Sequence, residues 1–315
     1  MTTTAQRPLP APVRGMTWIP GGAALMGSND FYPEERPAHP VVVDGFWMDE
    51  HPVTVAAFRR FVKATGHLTV AERRLDPADY PGADPADLVP GALVFRRTSG
   101  PVNLDDWRRW WTYVPGASWR HPEGPDSTLH GRERHPVTQV AHEDALAYAA
   151  WAGKELPTEA QWEFAARGGL PSAVFPWGDD FMPKGRRMAN TWHGRFPWEY
   201  EPAGRTGAAP GTSPVGGYPP NGYGLYDMAG NVWEWTADHY TTRHRDPAPK
   251  ACCAPRNPRV EAPAGPVPER FPQRVIKGGS HLCAPNYCLR YRPAARQGQS
   301  EDTATCHLGF RCVLR

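Results

Sequence analysis

A chain of 315 residues with a net charge of +2 is long enough to build a full core and carries no charge excess that would draw it to nucleic acid or an anionic membrane. No apolar run approaches the roughly 18–20 residues needed to cross a bilayer, and the N-terminal Met-Thr-Thr-Thr-Ala-Gln-Arg-Pro lacks the apolar stretch of a signal peptide, so the expectation is a soluble, cytoplasmic protein. With 37 Pro, 31 Gly and 13 Trp the chain cannot be mostly regular structure, yet it has much aromatic mass to bury.

Residues 1–14, rich in Pro and Thr, read as a disordered tail. Met16-Thr-Trp-Ile-Pro-Gly-Gly reads as a strand running into a turn, and Val41 to Glu50 as two short strands about the Asp44-Gly45 turn. Thr54 caps a helix that carries Phe58, Phe61 and Val62 on one face. Residues 68–135 read as an irregular insertion with Asp-Pro, Pro-Gly and Trp-Trp elements. A second helix starts near Glu143 and stops at Gly153. His142-Glu143-Asp144 marks its start rather than a metal site, because adjacent helical residues face different ways. A third helix follows Thr158 and Gln161, which form a capping box, and ends at Gly168-Gly169. Beyond it only short strands and turns are legible, and residues 240–273, rich in Pro, Arg and Ala, read as a long surface loop. No linker divides the chain.

The chemistry concentrates near the C-terminus. Lys277-Gly-Gly-Ser-His-Leu-Cys-Ala-Pro-Asn-Tyr-Cys-Leu-Arg-Tyr-Arg places Cys283 and Cys288 five residues apart among His281, Tyr287, Arg290, Tyr291 and Arg292. Neighbouring positive charge favours the thiolate, which is both nucleophile and metal ligand. Six cysteines in a chain of cytosolic character do not read as a disulfide framework. From the residues alone three readings stay open: a structural disulfide, a redox couple, and a two-thiolate site for a soft metal such as Cu(I). Zinc would want four ligands, and Cys252-Cys253, being adjacent, is poorly spaced to complete them.

The stretch Gly278 to Arg296, followed by His307-Leu-Gly-Phe-Arg-Cys312, resembles the C-terminal signature of the formylglycine-generating enzymes. Leu156 to Gly169, Asn221 to Trp235, Pro20 to Gly27 and Ala189 to Pro197 are similar to further blocks of that family, so the resemblance spans roughly residues 16–313. The middle blocks are shared with a wider superfamily that includes sulfoxide synthases and non-catalytic binding domains; the paired cysteines in their Gly-Gly-Ser and Tyr-Cys-x-Arg-Tyr-Arg setting are specific to the formylglycine makers. The resemblance implies an α+β fold: one loop-rich domain over residues 15–315, of the sulfatase-modifying-factor or C-type-lectin-like type, low in regular secondary structure. It implies an oxidase that uses O₂ and Cu(I) to convert the cysteine of a Cys-x-Pro-x-Arg motif in an unfolded sulfatase polypeptide to Cα-formylglycine, acting as a monomer. A Cu(I)-thiolate oxidase on another thiol, and a binding domain without chemistry, are the alternatives.

Carried over by position, Cys283 and Cys288 would bind copper, Trp233 and Ser280 would line an oxygen pocket, and Tyr287 would stand at the active site. His307 and the Trp110-Trp111 pair match positions at the substrate cleft, with plain packing the competing reading for each. Structural calcium is implied at Asp227, Glu234 and the carbonyls of Gly230 and Val232, where hard oxygen ligands suit the ion. Asn190 and the Thr191 carbonyl match part of a second calcium site, but Thr206 to Pro214 carries no acid where the family has one. Ala166 and Pro293 stand where vertebrate relatives carry disulfide cysteines, so those bridges are expected to be missing and Cys312 to be a buried free thiol. Cys306, beside His307, and Cys252-Cys253 are left without an assigned role.

Overall fold

The computed structural model describes residues 13–84, 86, 88–202, 209–246, 254–262 and 271–315. Strand β1 (Met16–Ile19) turns into β2 (Gly22–Met26), and β3 (His39–Val43) is followed by β4 (Phe46–Asp49). The two strands about Asp44-Gly45 form as the sequence suggests, but they do not pair with each other. β3 pairs with β2 and β4 pairs with β1, so Asp44-Gly45 is a corner between two sheets. Gly45 permits the corner: a Cβ there would lie 2.4 Å from the Trp18 ring.

Helix α1 (Val55–Thr65) is capped by Thr54, whose hydroxyl accepts from the Ala57 amide at 3.2 Å, and Gly66 stops it in the left-handed region. Phe58 and Phe61 are buried from its inner face against Trp119, Tyr148 and Phe310. The stretch read as an irregular insertion contains a further sheet, β5 (Gly91–Phe95) with β6 (Trp111–Pro115), paired antiparallel. A long connection joins these strands, so no tight-turn signal announces them. Helix α2 (His142–Trp151) begins one residue before the expected start. Its first residues diverge as anticipated: His142 Nε2 bonds the Thr236 carbonyl at 3.0 Å, while Asp144 takes His67 at 2.8 Å.

Helix α3 (Glu159–Ala166) has the expected capping box: the Gln161 amide donates to Thr158 Oγ1 at 3.2 Å, and the Thr158 amide to Gln161 Oε1 at 3.0 Å. Every residue of α3 is buried, although Glu159 and Glu163 are charged. Behind it lies the central sheet, β7 (Trp233–His239), β8 (Gln273–Lys277), β9 (Arg296–Ser300) and β10 (Leu308–Gly309), in the order β10-β7-β8-β9. The last strand, β11 (Val313–Leu314), joins β4. Over the described residues the fold is loop-rich and α+β, with three short α-helices and four small sheets.

Part of the segment read as a surface loop is a strap. Arg256 bridges Val42 of β3, and the Val260 amide donates to Asp238 of β7 at 2.6 Å. Residues 1–12 of the expected tail, and Cys252-Cys253, lie outside the described residues. Among the described residues no helix is long and apolar enough to cross a membrane.

The buried carboxylates of α3 are answered by cations from the central sheet. Lys277, at the end of β8, bonds Glu163 at 3.0 Å and lies 3.5 Å from Glu159. Arg296, at the start of β9, forks onto Glu159 at 2.7 and 3.0 Å, and Arg167 adds a bond to Glu163 at 2.7 Å. Burial alone would raise both carboxyls, but these cations outweigh it and hold them down to about 2. Their stabilisation is therefore present above the ordinary value of 4.5 and is lost as pH falls from there toward 2. Lys277→Met strands this charge in the interior and should cost about 3–5 kcal/mol at neutral pH in urea unfolding. A loss below about 1 kcal/mol, the range of a surface pair, would show that the network does not hold α3 in place.

Candidate active site

The segment after β8 is shaped by Gly278 and Gly279, both with positive φ. A Cβ on Gly279 would sit 2.9 Å from the backbone of Arg290 and Tyr291, so the chain can fold back on itself only if this residue lacks one. Local bonds then wind the loop. The Cys283 amide donates to the Ser280 carbonyl at 3.0 Å, the Leu282 amide to Ser280 Oγ at 3.2 Å, and the Cys288 amide to the Ala284 carbonyl at 2.7 Å. These turns bring Cys283 and Cys288 side by side, with their sulfurs 3.1 Å apart. The two are free cysteines, and both are buried.

The two sulfurs are electrostatically unequal. Burial and the bond to Cys288 push the Cys283 thiol well up. Cys288 is drawn down, first by the hydrogen bond from Cys283 and then, against the opposing effect of burial, by the Arg290 guanidinium. One proton held between two soft donors is an arrangement that a soft cation can replace, so the donor set fits Cu(I).

Above the sulfurs is a cleft of about 160 Å³. The Tyr287 ring stacks on Phe196 at 4.6 Å, and Trp110 meets both edge-on at 5.4 Å. Trp111 packs on His307 at 4.8 Å, and the amide of Trp233, the first residue of β7, donates to the His307 carbonyl at 2.9 Å. Burial pushes the Tyr287 hydroxyl up to about 12, so it stays protonated and able to donate. Ser280, Leu282, Arg290 and Gln297 complete the lining. All eight residues expected at the copper, oxygen and substrate positions therefore share one cleft. Phe196, Leu282 and Gln297 were not singled out from the sequence, and Arg290 only as a flanking charge. Phe196 lay within the Ala189–Pro197 block, but nothing in its spacing tied it to the cysteines.

The residues expected to hold calcium lie in a buried belt beneath the loop. Asn231 Oδ1 accepts from Asn190 at 3.3 Å and from the Ser213 amide at 2.9 Å, while Asp227 accepts from the Gly216 amide at 2.9 Å. Glu234 is committed elsewhere: its two oxygens accept from Arg311, both at 2.7 Å, and from Trp162 at 2.8 Å. An ion at Asp227, Gly230, Val232 and Glu234 would have to share the Glu234 carboxylate with that arginine. Thr191 Oγ1 contacts His193 at 3.4 Å, and the Asn190 amide donates to Gly211 and Asn231. Among the described residues no three His, Cys, Asp or Glu side chains converge as ion ligands. Cys306 is a fixture of β5, where its sulfur accepts from the Phe95 amide at 3.3 Å; burial pushes the thiol up to about 12. Cys312 is free and fully buried, as expected.

A family model, the sulfatase-modifying factor enzyme 1-like domain, matches residues 2–315. The chain belongs to the sulfatase-modifying factor family. It is 58% identical over 296 residues to the formylglycine-generating enzyme of Mycobacterium tuberculosis, covering 94% of this chain and 96% of that one. The mouse protein called inactive Cα-formylglycine-generating enzyme 2 is 37% identical over 95% of this chain and 85% of its own length. Among solved structures, PvdO from Pseudomonas aeruginosa superposes with a TM-score of 0.61 at 24% identity, covering 95% and 94% of the two chains, a likeness of fold. Family membership spans proteins named as active and as inactive, so the contents of the cleft must decide for this chain.

The site and its supports contain several neutral histidines. Burial holds His142 and His307 down to about 3, and His281 and His244 to about 4. An unfolded chain titrates these rings near about 6.5. Below that pH the unfolded state takes up protons that the folded state refuses. The stabilisation is complete above about pH 6.5 and is lost toward the folded values, by about 1.4 kcal/mol per ring per pH unit. The urea midpoint should therefore fall clearly between about pH 7 and about pH 5, and a flat midpoint across that interval would contradict neutral burial of these rings.

Proposed function

We propose that this protein is an active formylglycine-generating oxidase, and that Cys283 and Cys288 carry the reaction with one Cu(I) held between them. The observation that carries the reading is the pair of free sulfurs, 3.1 Å apart and buried in an aromatic cleft. When bound there, Cu(I) would supply a soft site for a third thiolate and an electron-rich centre for O₂.

The chain's own residues define the rest. Aromatic walls at Trp110, Trp111, Phe196 and Tyr287 receive an extended peptide, with the target cysteine of a Cys-x-Pro-x-Arg sulfatase segment directed at the sulfurs. Burial of the pair excludes water, which strengthens every charge interaction around it. Ser280 and Trp233 bound the small space beside the sulfurs where O₂ would enter. The protonated Tyr287 hydroxyl is a hydrogen-bond donor at the rim. Converting CH₂–SH to CHO removes two electrons from carbon and releases sulfide, whereas O₂ takes four on going to water. The assay therefore needs a thiol reductant for the remaining two.

A reduced peptide containing Cys-x-Pro-x-Arg, incubated with the copper-loaded protein, O₂ and dithiothreitol, should lose mass as thiol becomes aldehyde. Cys283→Ser and Cys288→Ser should each lower that rate more than about 100-fold, since loss even of an outer-shell partner commonly costs 10–100-fold. Mass spectrometry that finds unchanged aldehyde formation in the double serine variant would remove the sulfurs from the reaction. Turnover of a small thiol but not of the peptide would redirect the substrate assignment.

A further inference from the structure

Arg290 is the one arginine or lysine among the described residues that lines the cleft, which it shares with Cys283 and Cys288. It does not stand there unaided. Glu34, 256 positions earlier in the chain, accepts from Arg290 Nε at 3.2 Å and from Nη2 at 2.6 Å through one carboxylate oxygen. The Tyr32 ring lies 3.9 Å beneath the guanidinium carbon, and the Tyr32 hydroxyl accepts from the Leu289 amide at 3.0 Å. The pair is sheltered, with side-chain exposures of 22% for Arg290 and 15% for Glu34. A neighbouring clamp, Arg292 on Glu35 at 2.5 and 2.9 Å and over Phe31 at 3.6 Å, anchors the same two loops. Two contacts thus fix the loop, but of the two arginines only Arg290 lines the cleft that holds the cysteine pair.

Charge counting shows what this contact does. Two thiolates around one Cu(I) carry a net charge of −1 in a buried site, and a buried anion is costly unless a cation is held against it. We propose that Glu34 and Tyr32 are positioning residues that hold the Arg290 guanidinium in the cleft beside the cysteine pair, so that its charge balances the bis-thiolate Cu(I) centre. The inference rests on the copper reading above. It makes a prediction opposite to that of simple electrostatics. Glu34 is itself an anion near the site, so if only its charge mattered, removing it would tighten the hold on an anionic centre. If it acts by aiming Arg290, removing it must weaken that hold.

Anaerobic competition for Cu(I) against a chromophoric chelator reads this directly, without turnover. Glu34→Gln should bind Cu(I) about tenfold more weakly than wild type, the scale of one charge-assisted hydrogen bond. Glu34→Asp, which keeps the carboxylate, should recover part of the loss. Arg290→Lys keeps the charge but loses the fork held by Glu34, and should also weaken binding; Arg290→Met should weaken it further. Melting temperatures identify any variant that has lost its fold, and Arg290→Lys tests the idea should Glu34→Gln be one of them. Wild-type affinity or tighter in folded Glu34→Gln and Arg290→Lys overturns the positioning role while leaving the copper reading intact. No Cu(I) binding by the wild type overturns both.

Discussion

The architecture depends on two carboxylates buried on a helix that has no exposed face. Glu159 and Glu163 of α3 are at most 2% exposed, and an ionised carboxylate in that setting is tolerable only beside a cation. Lys277 and Arg296 are those cations, and they stand at the last position of β8 and the first of β9. The cysteine loop is the chain between them. One electrostatic requirement therefore fixes helix, sheet and both ends of the reactive loop together. Such a cluster adds little net stability over apolar packing, but it is intolerant of partial loss.

Within those fixed ends the loop is held from three directions. Gly278-Gly279 fold it tightly over Trp162 and the 290–291 backbone. The His281 amide and ring both bond the Asn231 carbonyl, at 3.0 and 2.8 Å, which ties it to the buried asparagine belt. Arg290 and Arg292 reach across to Glu34 and Glu35 on the N-terminal side. Such over-determination holds the sulfur pair in one geometry, where a pair left free to move at the loop tip would be open to oxidation. The cleft walls are borrowed from elsewhere: Trp110 and Trp111 from around the start of β6, Phe196 from a loop, and His307 from the approach to β10.

Legibility followed the range of the interactions. Thr54, Thr158 with Gln161, Gly153 and the Gly168-Gly169 pair mark helix ends, because caps are made by residues within four positions of one another. The strands about Asp44-Gly45 were legible as strands but not as partners, since β-pairing is decided by whichever edge lies nearest in space. β5 and β6 stayed hidden for the same reason, their connection being too long to leave a turn signature. The expected calcium ligands show a different long-range dependence. Matching positions placed Glu234 beside Asp227, but Arg311, 77 residues away, takes both Glu234 oxygens.

By itself the sequence determined the chemistry available: two cysteines in a Gly-led, arginine-flanked loop, together with the tryptophans, serine and histidine that share their cleft. Residue type and short-range spacing are sufficient for that, because reactivity belongs to side chains and tight turns are local. The tertiary structure alone decided that the two sulfurs are free, buried and 3.1 Å apart, that Phe196 and Gln297 share their cleft, and that Glu34 pairs with Arg290 at its edge. Those facts depend on contacts between residues up to 256 positions apart, where the folding of everything between sets the distance and no local pattern records it.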